Sequence, residues 1–251
     1  MEVGYYLSES EVNELVNSFA NMKKFQNLLT EMKKHRDFDI NLEDLKVNLG
    51  LKYDVRLKKE EHVISAKFIE LQINEDVTIS YTTRFRDGDT STTNDFFVGR
   101  IISNKKDEPN TFEQLVFRSR NDDEAVNILE SEFTQDLLVD TMQKNEKFFD
   151  KFNLDENYVP GQLLEEVNAE GIWTGCLTGG YIWCGEDCGG HPACVNGRNG
   201  INEVDNCCRS HDCCYHAVSD HKWCDNQLCQ CVSYYPQYYA STLIVTYFCL
   251  F

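Results

Sequence analysis

The sequence predicts an α+β N-terminal domain (a helix, a small antiparallel sheet and a second helix) followed by a mainly α, disulfide-rich domain. Cysteine placement, charge and hydrophobic period each support this division. All 12 cysteines of the 251-residue chain lie between Cys176 and Cys249. Such crowding is usual in small oxidised domains and unusual in cytosolic enzymes. Charge divides in the same way, with 34 acidic and 21 basic residues in 1–167 against 8 and 3 in 168–251. The hydrophobic fraction of 41% suffices for a packed core. A net charge of -18 argues against a general nucleic-acid binder and against simple attraction to anionic membranes.

The first element is read as one helix. Ser8 and Glu11 have capping-box spacing, and Val12, Leu15, Val16, Phe19, Met22, Phe25, Leu28 and Leu29 recur every three or four residues. Over 50–118 the period changes to two. His62–Ile73 and Asp76–Phe85 read as half-buried strands, with a turn after them at Asp87-Gly88. Phe96–Ile102 and Thr111–Phe117 are two further strands, separated by the polar loop Ser103–Asn110. A second long helix is expected over Asp122–Phe152, carrying Val126, Leu129, Phe133, Leu137, Val139, Met142 and Phe149. His35 and His62 stand alone, and the acidic pairs read as solvated surface. Residues 1–152 therefore read as an adaptor, pro-region or partner-binding module of unassigned partner.

Residues 153–170, with Pro160-Gly161 and many acids, read as a linker open to proteolysis. The cysteine-rich domain occupies 171–251. Its cysteines imply secretion, although MEVGYYLSESEVNELV shows neither a basic n-region nor an apolar run of signal length. The longest apolar stretch, Ala240–Phe251, is too short to span a bilayer and is expected to be a buried or membrane-touching strand.

Chemistry concentrates in Cys207-Cys208-Arg209-Ser210-His211-Asp212-Cys213-Cys214-Tyr215. On a helix, Cys207, His211 and Cys214 share one face, with Cys208 and Asp212 in the adjacent row. Disulfides there would fix a histidine beside a carboxylate, which suits a general base next to a hard cation. A zinc site drawing on His216, His221 and Cys224 is an alternative, as is a merely structural His211. Upstream, Trp183-Cys184-Gly185-Glu186-Asp187-Cys188-Gly189-Gly190 is a glycine-rich loop able to converge carbonyl oxygens.

The pattern Cys-Cys-x-x-His-Asp-x-Cys at Cys207–Cys214 resembles the active-site signature of the secreted phospholipases A2. The Trp183-Cys184-Gly185 loop resembles their calcium loop, most closely in the bee-venom type and related bacterial forms. Ile201-Asn202-Glu203-Val204-Asp205 is similar to the family's lead-in, and the likeness covers Trp173–Tyr239. It implies a phospholipase A2-like fold and calcium-dependent hydrolysis of the sn-2 ester of glycerophospholipids at a membrane surface, in a secreted toxin or antimicrobial factor. By the same resemblance His211 is the general base. Asp212 and the carbonyls of Trp183, Gly185 and Asp187 are calcium ligands, although Asp187 stands where the family usually has glycine. Asp225, in Cys224-Asp225-Asn226-Gln227-Leu228, is the carboxylate that orients the histidine; an alignment on the vertebrate pattern would put Val232 there instead. The resemblance also implies Cys184–Cys208, Cys207–Cys231 and Cys214–Cys224 disulfides. It further implies a tyrosine on Asp225, sought among Tyr234, Tyr235, Tyr238 and Tyr239. A catalytically inactive, bacteriocin-like or membrane-binding domain, released from its leader, is the competing expectation.

Overall fold

A computed structural model describes residues 4–42, 45–55, 63–120, 122–148, 153–155, 157–162, 176–177, 179–185, 188–189, 194 and 197–249. The N-terminal part is an antiparallel sheet flanked by helices. The chain runs β1 (Tyr5–Tyr6), α1 (Glu9–Phe19), α2 (Lys23–Met32), β2 (Lys46–Val55), β3 (Ile64–Gln72) and β4 (Val77–Arg86). It continues through β5 (Asp89–Asn104), β6 (Thr111–Ser119), β7 (Ala125–Thr134), α3 (Gln135–Phe148) and β8 (Asn153–Leu154). Strands β1 to β7 pair antiparallel with sequential neighbours, and β8 adds to β1 in parallel at one edge. The C-terminal region is helical: α4 (Glu203–Ala217), α5 (His221–Ser233) and α6 (Tyr239–Phe248).

The capping box forms as expected. Glu11 N–H donates to Ser8 Oγ, and Ser8 N–H donates back to Glu11 Oε2 at 2.9 Å. The predicted single N-terminal helix is two, however. Phe19 at the end of α1 and Phe25 in α2 both pack on Phe97 of β5, at 5.0 and 5.3 Å. Reaching one sheet residue from both sides requires the chain to turn between them. The Asp87-Gly88 turn joins β4 to β5 with both residues at positive φ, 50° and 75°.

The expected long helix over Asp122–Phe152 is wrong in its first third. Ala125–Thr134 pairs with β6 as an edge strand, and the register slips between Val116 and Phe117. That bulge breaks the two-residue period, leaving a run rich in helix-forming residues that mimics a helix. Cross-strand stacking of Phe112 on Phe133, at 5.4 Å, instead favours the sheet. Strand β2 begins at Lys46, earlier than the change of period suggests. Asn153–Leu154, read as linker, joins the sheet, while His62 lies outside the described residues.

Each face of the sheet carries a core. One cluster joins α1 and α2 to Ile69, Ile79, Tyr81, Phe97 and Phe117. The other joins Leu51, Tyr53, Phe68 and Phe96 to Trp183, Cys207, Leu228, Val232 and Leu243 of the cysteine-rich region. The second cluster crosses from sheet to disulfide-bonded helices without a break. Polar contacts accompany it: Tyr53 Oη donates to Thr246 Oγ1 at 3.2 Å, and Arg84 Nη1 donates to the Thr246 carbonyl.

The C-terminal segment expected as a strand is helix α6. Its β-branched residues suggested sheet, but the Thr246 hydroxyl is satisfied within the helix, donating to the Thr242 carbonyl at 2.8 Å. Cys229–Cys249 then ties the end of α6 to α5. No described helix is long and apolar enough to cross a membrane.

Candidate active site

The site begins with how α4 is anchored. Asn202 caps it, accepting the Asp205 N–H at 2.9 Å. Asp205, in the first turn, is fully buried. Its carboxylate accepts the N–H groups of Ile182, Trp183 and Cys184 at 3.2, 2.9 and 3.1 Å, and that of Ile201 at 3.0 Å. Three successive amides converging on one carboxylate set the path of the glycine-rich loop, and the helix N-terminus further favours the charge. Gly189, at φ 82°, lies against the Trp183 indole, where a Cβ would run into the ring.

Six disulfides secure this arrangement. Cys184–Cys208, Cys207–Cys231 and Cys214–Cys224 form as the resemblance implies. Cys176–Cys188, Cys194–Cys213 and Cys229–Cys249 complete the set. Every cysteine is thus oxidised, which removes Cys224 as a zinc ligand.

Within this frame α4 and α5 bring His211 and Asp225 together. His211 Nε2 lies 2.8 Å from Asp225 Oδ1, and the imidazole is only 10% exposed. A carboxylate accepts, so Nε2 carries the proton and the Nδ1 lone pair remains. Nδ1 lies 3.7 Å from Asp212 Oδ1. Tyr215 Oη donates to Asp225 Oδ1 at 2.7 Å. The tyrosine on Asp225 is therefore Tyr215, one helical turn from His211, and not one of the four C-terminal tyrosines considered. Val232 is buried in the core. Phe248 of α6 meets the His211 ring edge-on at 5.2 Å, giving the histidine an apolar wall.

Burial pulls the His211 pKa down, but hydrogen bonding and charge from Asp212 and Asp225 outweigh it and hold it above the ordinary 6.5. Asp225 is lowered: burial opposes this, and the His211 and Tyr215 contacts prevail. Asp212 is raised, chiefly by burial. In chelator, the His211 ring signals in a heteronuclear NMR titration are expected to move with a midpoint above 6.5. Asp225→Asn should lower that midpoint; an unchanged one would refute the electrostatic coupling. The sign carries into stability: the contribution of a raised histidine pKa is complete below about 6.5 and is lost as pH rises through the folded value.

No family model, curated protein or solved structure matches this chain. The chemistry of the site therefore rests on its own geometry.

Of the expected cation ligands, Trp183, Gly185 and Asp212 are described, and Asp187 lies outside the described residues. Asp212 Oδ2 is buried and finds no hydrogen-bond partner among the described residues. A hard cation would satisfy such an oxygen. The Gly185 carbonyl accepts the Cys188 N–H at 3.2 Å, leaving a second lone pair. Among the described residues no three His, Cys, Asp or Glu side chains gather as a metal cluster.

Asp205, Tyr215 and Phe248 are the contributors that sequence reasoning did not single out. For Tyr215 a signal existed in its i+4 spacing from His211. Asp205 stands in the lead-in segment Ile201–Asp205, where the sequence assigns it no role.

Proposed function

We propose that the cysteine-rich region is a secreted, calcium-dependent phospholipase A2 that hydrolyses the sn-2 ester of glycerophospholipids. The observation that carries this reading is the His211–Asp225–Tyr215 chain, which leaves Nδ1 beside the partly buried Asp212 carboxylate, whose Oδ2 finds no hydrogen-bond partner among the described residues. That combination provides a base and a cation-seeking oxygen within one helical turn.

In this mechanism Nδ1 of His211 takes a proton from water as the water attacks the ester carbonyl. Asp225 fixes the tautomer and stabilises the imidazolium that results, while Tyr215 holds Asp225 in place. The Gly185 N–H, on a glycine at φ 129°, is a donor for the developing oxyanion. Asp212 with the Trp183 and Gly185 carbonyls would hold calcium, which when bound supplies Lewis-acid stabilisation of that oxyanion. Val218 and Trp223, 40% and 50% exposed at either side of the α4–α5 turn, offer apolar contacts to a lipid surface.

The same exposed residues would serve a membrane-binding domain without turnover. A calcium titration on the intact chain with a fluorogenic phospholipid labelled at sn-2 separates the two. Calcium-dependent release is expected. Vesicle leakage with no release at any calcium concentration would replace the hydrolase with the non-enzymatic reading.

A further inference from the structure

The sheet face turned toward the cysteine-rich region carries a second polar feature, distinct from His211. Between β3–β6 and helices α5 and α6 lies a cavity of about 50 Å³, lined in part by Thr78, Ser80, Arg100, Arg118 and Thr242. The register places Thr78 opposite Arg100, and Val98 opposite both Ser80 and Arg118. The two arginines are therefore diagonal neighbours on adjacent strands, close enough for both guanidinium groups to meet one ligand.

Arg100 Nε and Arg118 Nε are both buried without a hydrogen-bond partner among the described residues. Arg100 Nη1 donates only a long bond, 3.4 Å, to the Pro236 carbonyl. One acid, Glu70, lies in the lining, and it makes its bonds with neutral donors: its Oε1 accepts Tyr239 Oη at 3.0 Å and Asn48 Nδ2 at 3.4 Å. Burial, with Arg120 nearby, holds the Arg118 guanidinium down at about 10, as expected of a cation lacking a counter-charge. Arg100 and Arg118, each with a buried Nε lacking a partner among the described residues and both beside hydroxyl groups, call for an anion in a chain of net charge -18.

We infer that this cavity is a binding site for a small oxyanion of the phosphate class, held by Arg100 and Arg118 with Thr78, Ser80 and Thr242 as hydroxyl donors. Size sets the limit. A cavity of about 50 Å³ has room for roughly three or four waters, hence for a phosphate group and not for an acyl chain. The phosphate is either free or the head group of a lipid whose chains lie outside. The site does not depend on the phospholipase reading.

The test uses the intact chain in chelator, so that calcium phosphate does not form and turnover plays no part. Inorganic phosphate is titrated against sodium chloride at matched ionic strength, following Tm and phosphorus NMR line width. Co-sedimentation with phosphatidic acid vesicles forms the second arm. We expect saturable, phosphate-specific stabilisation that Arg118→Gln weakens about tenfold or more. Without phosphate, Arg118→Gln should keep or raise Tm, since it removes a partly buried charge whose Nε finds no partner among the described residues, and this separates lost binding from lost fold. Vesicle binding without a response to free phosphate, if likewise lost in Arg118→Gln, would identify the lipid head group as the source. Absence of both responses, or responses that Arg118→Gln leaves intact, would overturn the site.

Discussion

Asp205→Ala is expected to lower the unfolding free energy by at least about 2 kcal/mol, because it strands the buried N–H groups of Trp183 and Cys184, each costing about 1–3 kcal/mol, together with the part-buried ones of Ile182 and Ile201. The carboxylate has no cationic side chain as partner in these bonds; its charge is balanced by the amides of Ile182, Trp183, Cys184 and Ile201. Among the described residues nothing else in the loop replaces it, since Cys184–Cys208 fixes the sulfur but leaves the amides unpaired. Asn is an incomplete substitute: its amide nitrogen would face donors, so Asp205→Asn should fall between alanine and wild type. Chemical denaturation with disulfides intact gives the magnitude. Amide exchange locates it, with Ile182, Trp183 and Cys184 losing protection ahead of α5. A variant as stable as wild type, with those amides still protected, would show that the disulfides alone hold the loop.

This dependence on one aspartate shows why some of the site was legible in the sequence and some was not. Local chemistry was readable. Ser8 and Glu11 cap α1, Asp87-Gly88 turns, and the spacing of Cys207, His211 and Cys214 gives one helical face. The family pattern carried the pairing of Cys184, Cys207 and Cys214 and the choice of Asp225, which spacing alone could not provide. What failed depended on tertiary partners. The edge strand Ala125–Thr134 exists because β6 offers it hydrogen bonds, against the helical propensity of its residues. Tyr239–Phe248 is helical although β-branched, because the sheet and Cys229 fix where its ends lie. Asp205 looked like one acid among many because three of its four amide partners, Ile182, Trp183 and Cys184, are some twenty residues away in sequence. The continuous core from Tyr53 to Leu243 was equally hidden: composition separates the two halves, whereas burial joins them.

His211→Gln is expected to reduce phospholipid hydrolysis by about 10²–10⁴-fold while near-UV circular dichroism and Tm stay close to wild type. Glutamine can still donate toward Asp225, so the packing against Tyr215 and Phe248 survives and the loss falls on proton transfer. Asp212 should behave differently from Asp205 on the same helix, because both Asp205 oxygens accept backbone N–H groups whereas Asp212 Oδ2 finds no donor among the described residues. Asp212→Asn removes a partly buried charge whose Oδ2 finds no donor among the described residues and whose pKa burial has already raised, so it should be neutral or stabilising in chelator. The same change, and Asp212→Lys more severely, should abolish the calcium response in activity and in calcium-induced Tm shift. Full residual hydrolysis in His211→Gln would remove the general base from the mechanism. A large loss of stability in calcium-free Asp212→Asn would make that carboxylate structural. The expected pattern places stability at Asp205 and function at Asp212, two turns of α4 apart, and the unsatisfied oxygen is what distinguishes them.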